Sequence, residues 1–110
     1  YAQQGKNKLA LQEYNRSIEI DPNNIYALNS RGRHYLVQLS DAERAIEDFD
    51  RAIKLDRNYS ISFANRGFAN QQLKRVDAAL ADFDEALNLG VSPEQKAIIR
   101  KEMKKLRRKQ

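Results

Sequence analysis

Apolar residues recur along this chain at helical spacing and, over a longer distance, in whole blocks. The segment Leu9-Ala10-Leu11-Gln12-Glu13-Tyr14-Asn15-Arg16-Ser17-Ile18-Glu19-Ile20-Asp21 returns at residues 44–56 and again at residues 78–90, offset by 35 and then by 34 positions. In each copy a small residue (Ala10, Ala45, Ala79) is followed four positions later by an aromatic one (Tyr14, Phe49, Phe83). That spacing puts the pair on one face of a helix. A second block, Leu28-Asn29-Ser30-Arg31-Gly32 with Tyr35, returns 35 residues on as Phe63-Ala64-Asn65-Arg66-Gly67 with Asn70. The repeating unit is two helices long, and a unit of that size cannot bury its apolar face alone, so neighbours must stack.

The pattern predicts helices over 7–20, 24–38, 41–55, 59–73, 76–89 and 93–107, with 1–4 as the end of an earlier one. Asp21-Pro22-Asn23-Asn24 reads as a turn. Gly32 to Ala45 is 13 positions and Gly67 to Ala79 is 12, which places one extra residue around Leu39-Ser40-Asp41. Ser40 and Glu43 there have the spacing of a capping box. Ser92, Pro93 and Gln95 mark the start of the last helix as N-cap, first-turn proline and capping-box partner. Its apolar stripe is Ile98, Ile99, Met103 and Leu106.

These residues resemble the tetratricopeptide repeat, whose signature runs W-x2-L-G-x2-Y, then A-x3-F, then P, with a period of 34. Leu28, Gly32, Tyr35, Ala45 and Phe49 match in the middle unit. Phe63, Gly67, Ala79 and Phe83 match in the next, with Asn70 where Tyr is usual. Ala10, Tyr14 and Pro22 match the second half of a first unit. The resemblance implies an all-α, right-handed superhelical solenoid of antiparallel helix hairpins with a C-terminal capping helix. Its units would be a partial repeat over 1–24, a repeat with one inserted residue over 25–59, a repeat over 60–93 and a basic capping helix over 94–110. Gly32 and Gly67 would let paired backbones approach closely, and the aromatic rings would fill the space between successive hairpins.

In such a stack the first helix of each pair lines a concave face. The residues this places in a peptide-binding groove are Tyr26, Asn29, Arg33, Ile61, Asn65, Phe68 and Gln72, with Ser30, Val37 and Ala64 beside them. Amides could bond a peptide backbone, Arg33 could take a carboxylate, and Tyr26 and Phe68 could hold apolar side chains. The resemblance also carries a clamp of Lys and Asn residues for C-terminal carboxylates. Asn65 matches one of its positions, but Asn29 and Arg33 stand where Lys and Asn are wanted, and Ala64 and Phe68 fill the equivalents one repeat later. Recognition of chaperone tails is therefore not expected.

Composition excludes more than it suggests. The 110 residues include no Cys and one His, so disulfides, thiolate chemistry and a two-His zinc site are out of reach. His34 reads as a solvated surface residue, and the doublets Asp48/Asp50 and Asp82/Asp84 read as solvated outer faces. No enzymatic activity, cofactor or metal is expected. No apolar run approaches a bilayer span, and a soluble, cytoplasmic chain is expected. The formal charge of +5 is uneven. Residues 1–93 carry 12 Lys/Arg against 13 Asp/Glu, whereas residues 94–110 carry eight against two. The basic tail reads first as the polar face of a capping helix, and second as a contact for nucleic acid or an anionic membrane. The expected function is a protein-interaction module that binds a peptide or partner surface in its groove. The competing reading is a self-assembling scaffold whose basic helix meets a polyanion, and a homodimer through the N-terminal helix belongs with it.

Overall fold

A computed structural model describes residues 2–110. Six helices follow one another: α1 (Ala2–Ile20), α2 (Ile25–Val37), α3 (Ala42–Leu55), α4 (Ser60–Gln72), α5 (Val76–Leu89) and α6 (Pro93–Arg107). No strand occurs among the described residues. The chain is an all-α helical-repeat solenoid, with α2/α3 and α4/α5 as hairpins, α1 ahead of them and α6 behind.

Turn chemistry accounts for the breaks. The carboxylates of Asp21 and Asp56 accept from the backbone N–H two residues on, at Asn23 (3.0 Å) and Asn58 (2.9 Å). Each closes a local turn that competes with helix propagation. The third copy of this position is Gly90, whose φ of 101° lies where only glycine sits without strain. Between α2 and α3 the Asp41 N–H reaches Tyr35 O, six residues back, while between α4 and α5 the Arg75 N–H reaches Asn70 O, five back. The two turns otherwise correspond, with Ser40 and Lys74 both at positive φ. Ser40 is therefore not the cap of α3. Asp41 is, accepting from Arg44 N at 3.2 Å, because a residue held in the left-handed region cannot supply the extended Ncap geometry. Ser92 does cap α6, accepting from Gln95 N at 3.2 Å with Pro93 in the first turn.

Residues 2–20 form one helix rather than two segments. A β-carbon placed on Gly5 would meet nothing within 4 Å, so no packing contact breaks the helix there, and one glycine costs only about 1 kcal/mol.

The core runs through the stack in three linked clusters. Ile18, Leu28 and Ala52 join α1 to the first hairpin, Leu36, Ala45, Phe49 and Ala69 fill the middle, and Phe83, Ile99, Met103 and Leu106 seat α6. Phe49 lies over Gly32 and Phe83 over Gly67, so each ring occupies the space a β-carbon would need within its own hairpin. The glycines thus make room for a ring, not for a neighbouring backbone.

Of the acidic doublets, Asp84 is exposed as expected, whereas Asp48, Asp50 and Asp82 pair with arginines. Asp48 and Asp82 are each 5% exposed and grip Arg31 and Arg66 with both oxygens, at 2.6–2.9 Å. The remaining arm of each arginine reaches back to the preceding second helix, Arg31 to Asn15 and Arg66 to Asp50, both at 2.9 Å. One guanidinium therefore ties three helices, a role suited to its planar fork. These carboxylates raise the basicity of both arginines through hydrogen bonding, led by Asp48 for Arg31 and Asp82 for Arg66. Asn70, at the position where Tyr is usual, donates to Asp82 Oδ2 at 2.9 Å and completes its shell.

A groove across the first helices

The helices α2, α4 and α6 leave a groove of about 570 Å³ between them. From α2 it takes Arg33, Leu36 and Val37; from α4, Ala64, Asn65, Phe68 and Gln72. Its third wall is α6, through Gln95, Ile98 and Ile99. With Ser40 from the following turn, the lining mixes six apolar with five polar or charged residues, an apolar surface with polar groups set into it, as recognition pockets commonly have. Val37 (59% exposed) and Ile98 (53%) present large aliphatic side chains from opposite walls. Phe68 forms the floor, edge-on to Phe83 with ring centroids 5.0 Å apart.

Of the seven residues expected here from the sequence, the groove brings together Arg33, Asn65, Phe68 and Gln72. The other three lie elsewhere. Tyr26 is exposed beyond the groove and meets Tyr59 edge-on at 5.7 Å. Ile61 lines a smaller depression with Gly90 and Val91. Asn29 is buried.

The amides do not wait for a ligand. Asn29 Nδ2 donates to Ser62 Oγ at 2.9 Å and to Ile25 O at 3.1 Å; Asn65 Nδ2 donates to Asn29 Oδ1 at 3.1 Å. Arg33 closes the ladder by donating from one terminal nitrogen to Asn65 Oδ1 at 3.0 Å. This chain of bonds joins α2 to α4 and satisfies polar groups that would be costly to bury unpaired. It also holds the Arg33 guanidinium at the groove wall, where its remaining donors have no protein partner among the described residues.

His34 is half-buried rather than solvated. Its ring lies 6.0 Å from that of Tyr14, and its Nε2 is buried without a hydrogen-bond partner among the described residues. The α2–α1 packing covers it: His34 shares a shallow depression with Tyr14 and Ser30 beside the groove, which Arg33 and Val37 also border.

Sequence reasoning missed Leu36, Ser40, Gln95, Ile98 and Ile99 as groove residues. A signal for Ile98 was present: adjacent residues on a helix point about 100° apart, so Ile98 and Ile99 cannot both face the core. The structure buries Ile99 and leaves Ile98 to the groove. Among the described residues no group of three or more His, Asp or Glu side chains could hold a metal ion, and no helix is long and apolar enough to cross a membrane.

Comparison with known proteins fits this architecture. A family model described as TPR repeat matches residues 1–38, and one described as Tetratricopeptide repeat matches residues 25–59. The second TPR domain of human RPAP3, solved in complex with an HSP70 peptide, SGPTIEEVD, is 33% identical with a TM-score of 0.80, over 94% of this chain and 83% of that one. The first TPR of Spaghetti (RPAP3), bound to an HSP90 peptide, SRMEEVD, is 26% identical with a TM-score of 0.85, over 98% of this chain and 82% of that one. Mouse DnaJ homolog subfamily C member 7 is 30% identical over 115 aligned residues, 96% of this chain but 23% of its own length. The chain thus spans about a quarter of that curated relative.

Proposed function

The chain belongs to the tetratricopeptide repeat family, and from that premise we propose that it is a non-enzymatic interaction module holding a peptide of a partner protein in the groove between α2, α4 and α6. The observation that carries this reading is the groove itself: exposed Val37 from α2 and Ile98 from α6 line it together with Phe68 and the tethered Arg33. The structurally similar RPAP3 domains are complexed with the acidic peptides SRMEEVD and SGPTIEEVD. Here one guanidinium is the only cationic group lining the groove among the described residues, and Asn65 is already bonded on both sides. The ligand we infer is therefore a mainly apolar segment with one carboxylate for Arg33, not a tail carrying several acids. We take residues 25–59 and 60–93 as the complete repeats, with 1–24 and 94–110 flanking them.

Selection of peptides from a random display library, followed by amide chemical-shift mapping of the selected sequence, tests this. Shifts are expected around Val37, Phe68 and Ile98. Arg33→Glu with Ile98→Asp is expected to abolish the binding, and to lower the melting temperature only by what the lost Arg33–Asn65 bond contributes, since Ile98 supports nothing in the core. Losing the charge-assisted contact alone corresponds to about 1.5–3 kcal/mol of affinity. Selected peptides that shift only the outer faces of α3 and α5, or that bind the double variant equally well, overturn the groove as the site.

A further inference from the structure

A second cleft, of about 710 Å³, lies between α5 and α6 on the side away from the groove. Its rim carries Arg100, Lys104, Arg107 and Arg108, and its floor holds Leu87 and Met103. Where cations are drawn into the packing they are neutralised in place: Arg31 and Arg66 are gripped by aspartates, and Lys105 pairs with Glu102 at 3.3 Å. The rim differs. Arg107 has only a loose 4.0 Å approach to Asp84, with both side chains more than half exposed, and Arg100, Lys104 and Arg108 have no acidic partner among the described residues. Four cations converge on an apolar floor with almost nothing to balance them.

We propose that this cleft is a docking site for an acidic peptide segment whose carboxylates meet the rim and whose aliphatic side chain covers Leu87 and Met103. Charge complementarity selects an anion, and three features select a peptide among anions. No aromatic ring lines the cleft, so nucleic-acid bases have nothing to stack on. Asp84 stands within it, interrupting the track of positive charge that a phosphate backbone follows. Of the apolar stripe of α6, Ile99, Met103 and Leu106 are buried against the repeats and only Ile98 stays exposed, too little apolar face to lay into a bilayer. Carboxylates spaced along a peptide, with an apolar residue between them, fit what remains. This site is independent of the groove and of Arg33.

The probe is a fluorescein-labelled peptide with glutamates flanking a leucine, titrated into the full chain at several salt concentrations. The comparison probes are a single-stranded RNA homopolymer and phosphatidylserine vesicles. Saturable, salt-weakened peptide binding is expected, together with amide shifts at Leu87 and Met103. Arg100→Gln with Lys104→Gln and Arg108→Gln is expected to weaken it by roughly ten-fold or more, the loss of at least one charge-assisted contact. Arg33→Glu is expected to leave it unchanged. Since the three cations are exposed, an unaltered melt confirms that the variant is folded. Tighter retention of the RNA or the vesicles than of the peptide, equal binding by the triple variant, or loss of binding in Arg33→Glu overturns the proposal.

Discussion

The glycine and the aromatic ring of each hairpin form one structural unit. Phe49 and Phe83 are fully buried, and a β-carbon added at Gly67 would stand 2.6 Å from Cε1 of Phe83, with a comparable clash between Gly32 and Phe49. A ring enclosed on every side cannot swing away. Overpacking of this kind costs about 1–3 kcal/mol, and the better helix propensity of alanine returns about 1 kcal/mol. Gly32→Ala is thus expected to destabilise by up to about 2 kcal/mol on those two magnitudes. Combined with Phe49→Leu, which removes the obstructing ring atoms, it is expected to cost less than the two single losses together. Urea denaturation of the four proteins checks this; strictly additive losses show that the pair is not in contact. The spacing of these residues was legible in the sequence, but their geometry was not. A period reports which positions correspond, and it does not say whether a missing β-carbon serves a backbone or a ring. The same limit applies to Asp48 and Asp82. Their two-residue separation from Asp50 and Asp84 argues against a paired site, yet only the fold brings Arg31 and Arg66, 17 and 16 residues earlier in sequence, against them.

At the scale of elements, α2 to α5 follow from repeat arithmetic and local turn chemistry, and α6 from its cap. What the sequence left hidden is that α6 also builds the groove, because no copy of its surface exists elsewhere in the chain for comparison. Glu102 fastens it. Its carboxylate accepts from Gln71 Nε2 on α4 at 2.7 Å and from Lys105 on its own helix, and these bonds, led by that from Gln71, hold it below its ordinary pKa of 4.5. A carboxylate whose pKa is lowered on folding stabilises the fold above its unfolded value and loses that contribution as the pH falls through the folded one. The gap in melting temperature between the unaltered chain and Glu102→Gln is therefore expected to be full near neutrality and to close below pH 4.5, from about 1 kcal/mol for the one interhelical bond. Melting curves of both proteins across acid pH read it directly. A gap that persists unchanged into acid shows that the ionised carboxylate does not tie α6 to α4.

Across the whole molecule, each hairpin is closed by the next: α4 covers the first, and α6 covers the second with Ile99, Met103 and Leu106. Nothing among the described residues does the same for the outer side of α1. Leu9 is 62% exposed there, and α1, at 19 residues, is longer than the 14-residue α3 and α5. An aliphatic side chain on such a helix gains about 1.5–3 kcal/mol when covered, modest for one residue but doubled when two copies meet symmetrically. From this geometry we propose weak, concentration-dependent self-association through α1, separate from both peptide sites. Sedimentation of the chain at increasing concentration is expected to show a rising average mass, and Leu9→Lys is expected to hold it at the monomer value with no loss of helical content, since the side chain supports nothing in the core. A mass that stays monomeric throughout, or that rises equally in Leu9→Lys, rules out α1 as the contact. In that case the low stability of an uncovered terminal helix becomes measurable instead, as faster amide exchange at Leu9 than at Phe49, because an end helix held from one side opens locally without unfolding the stack behind it.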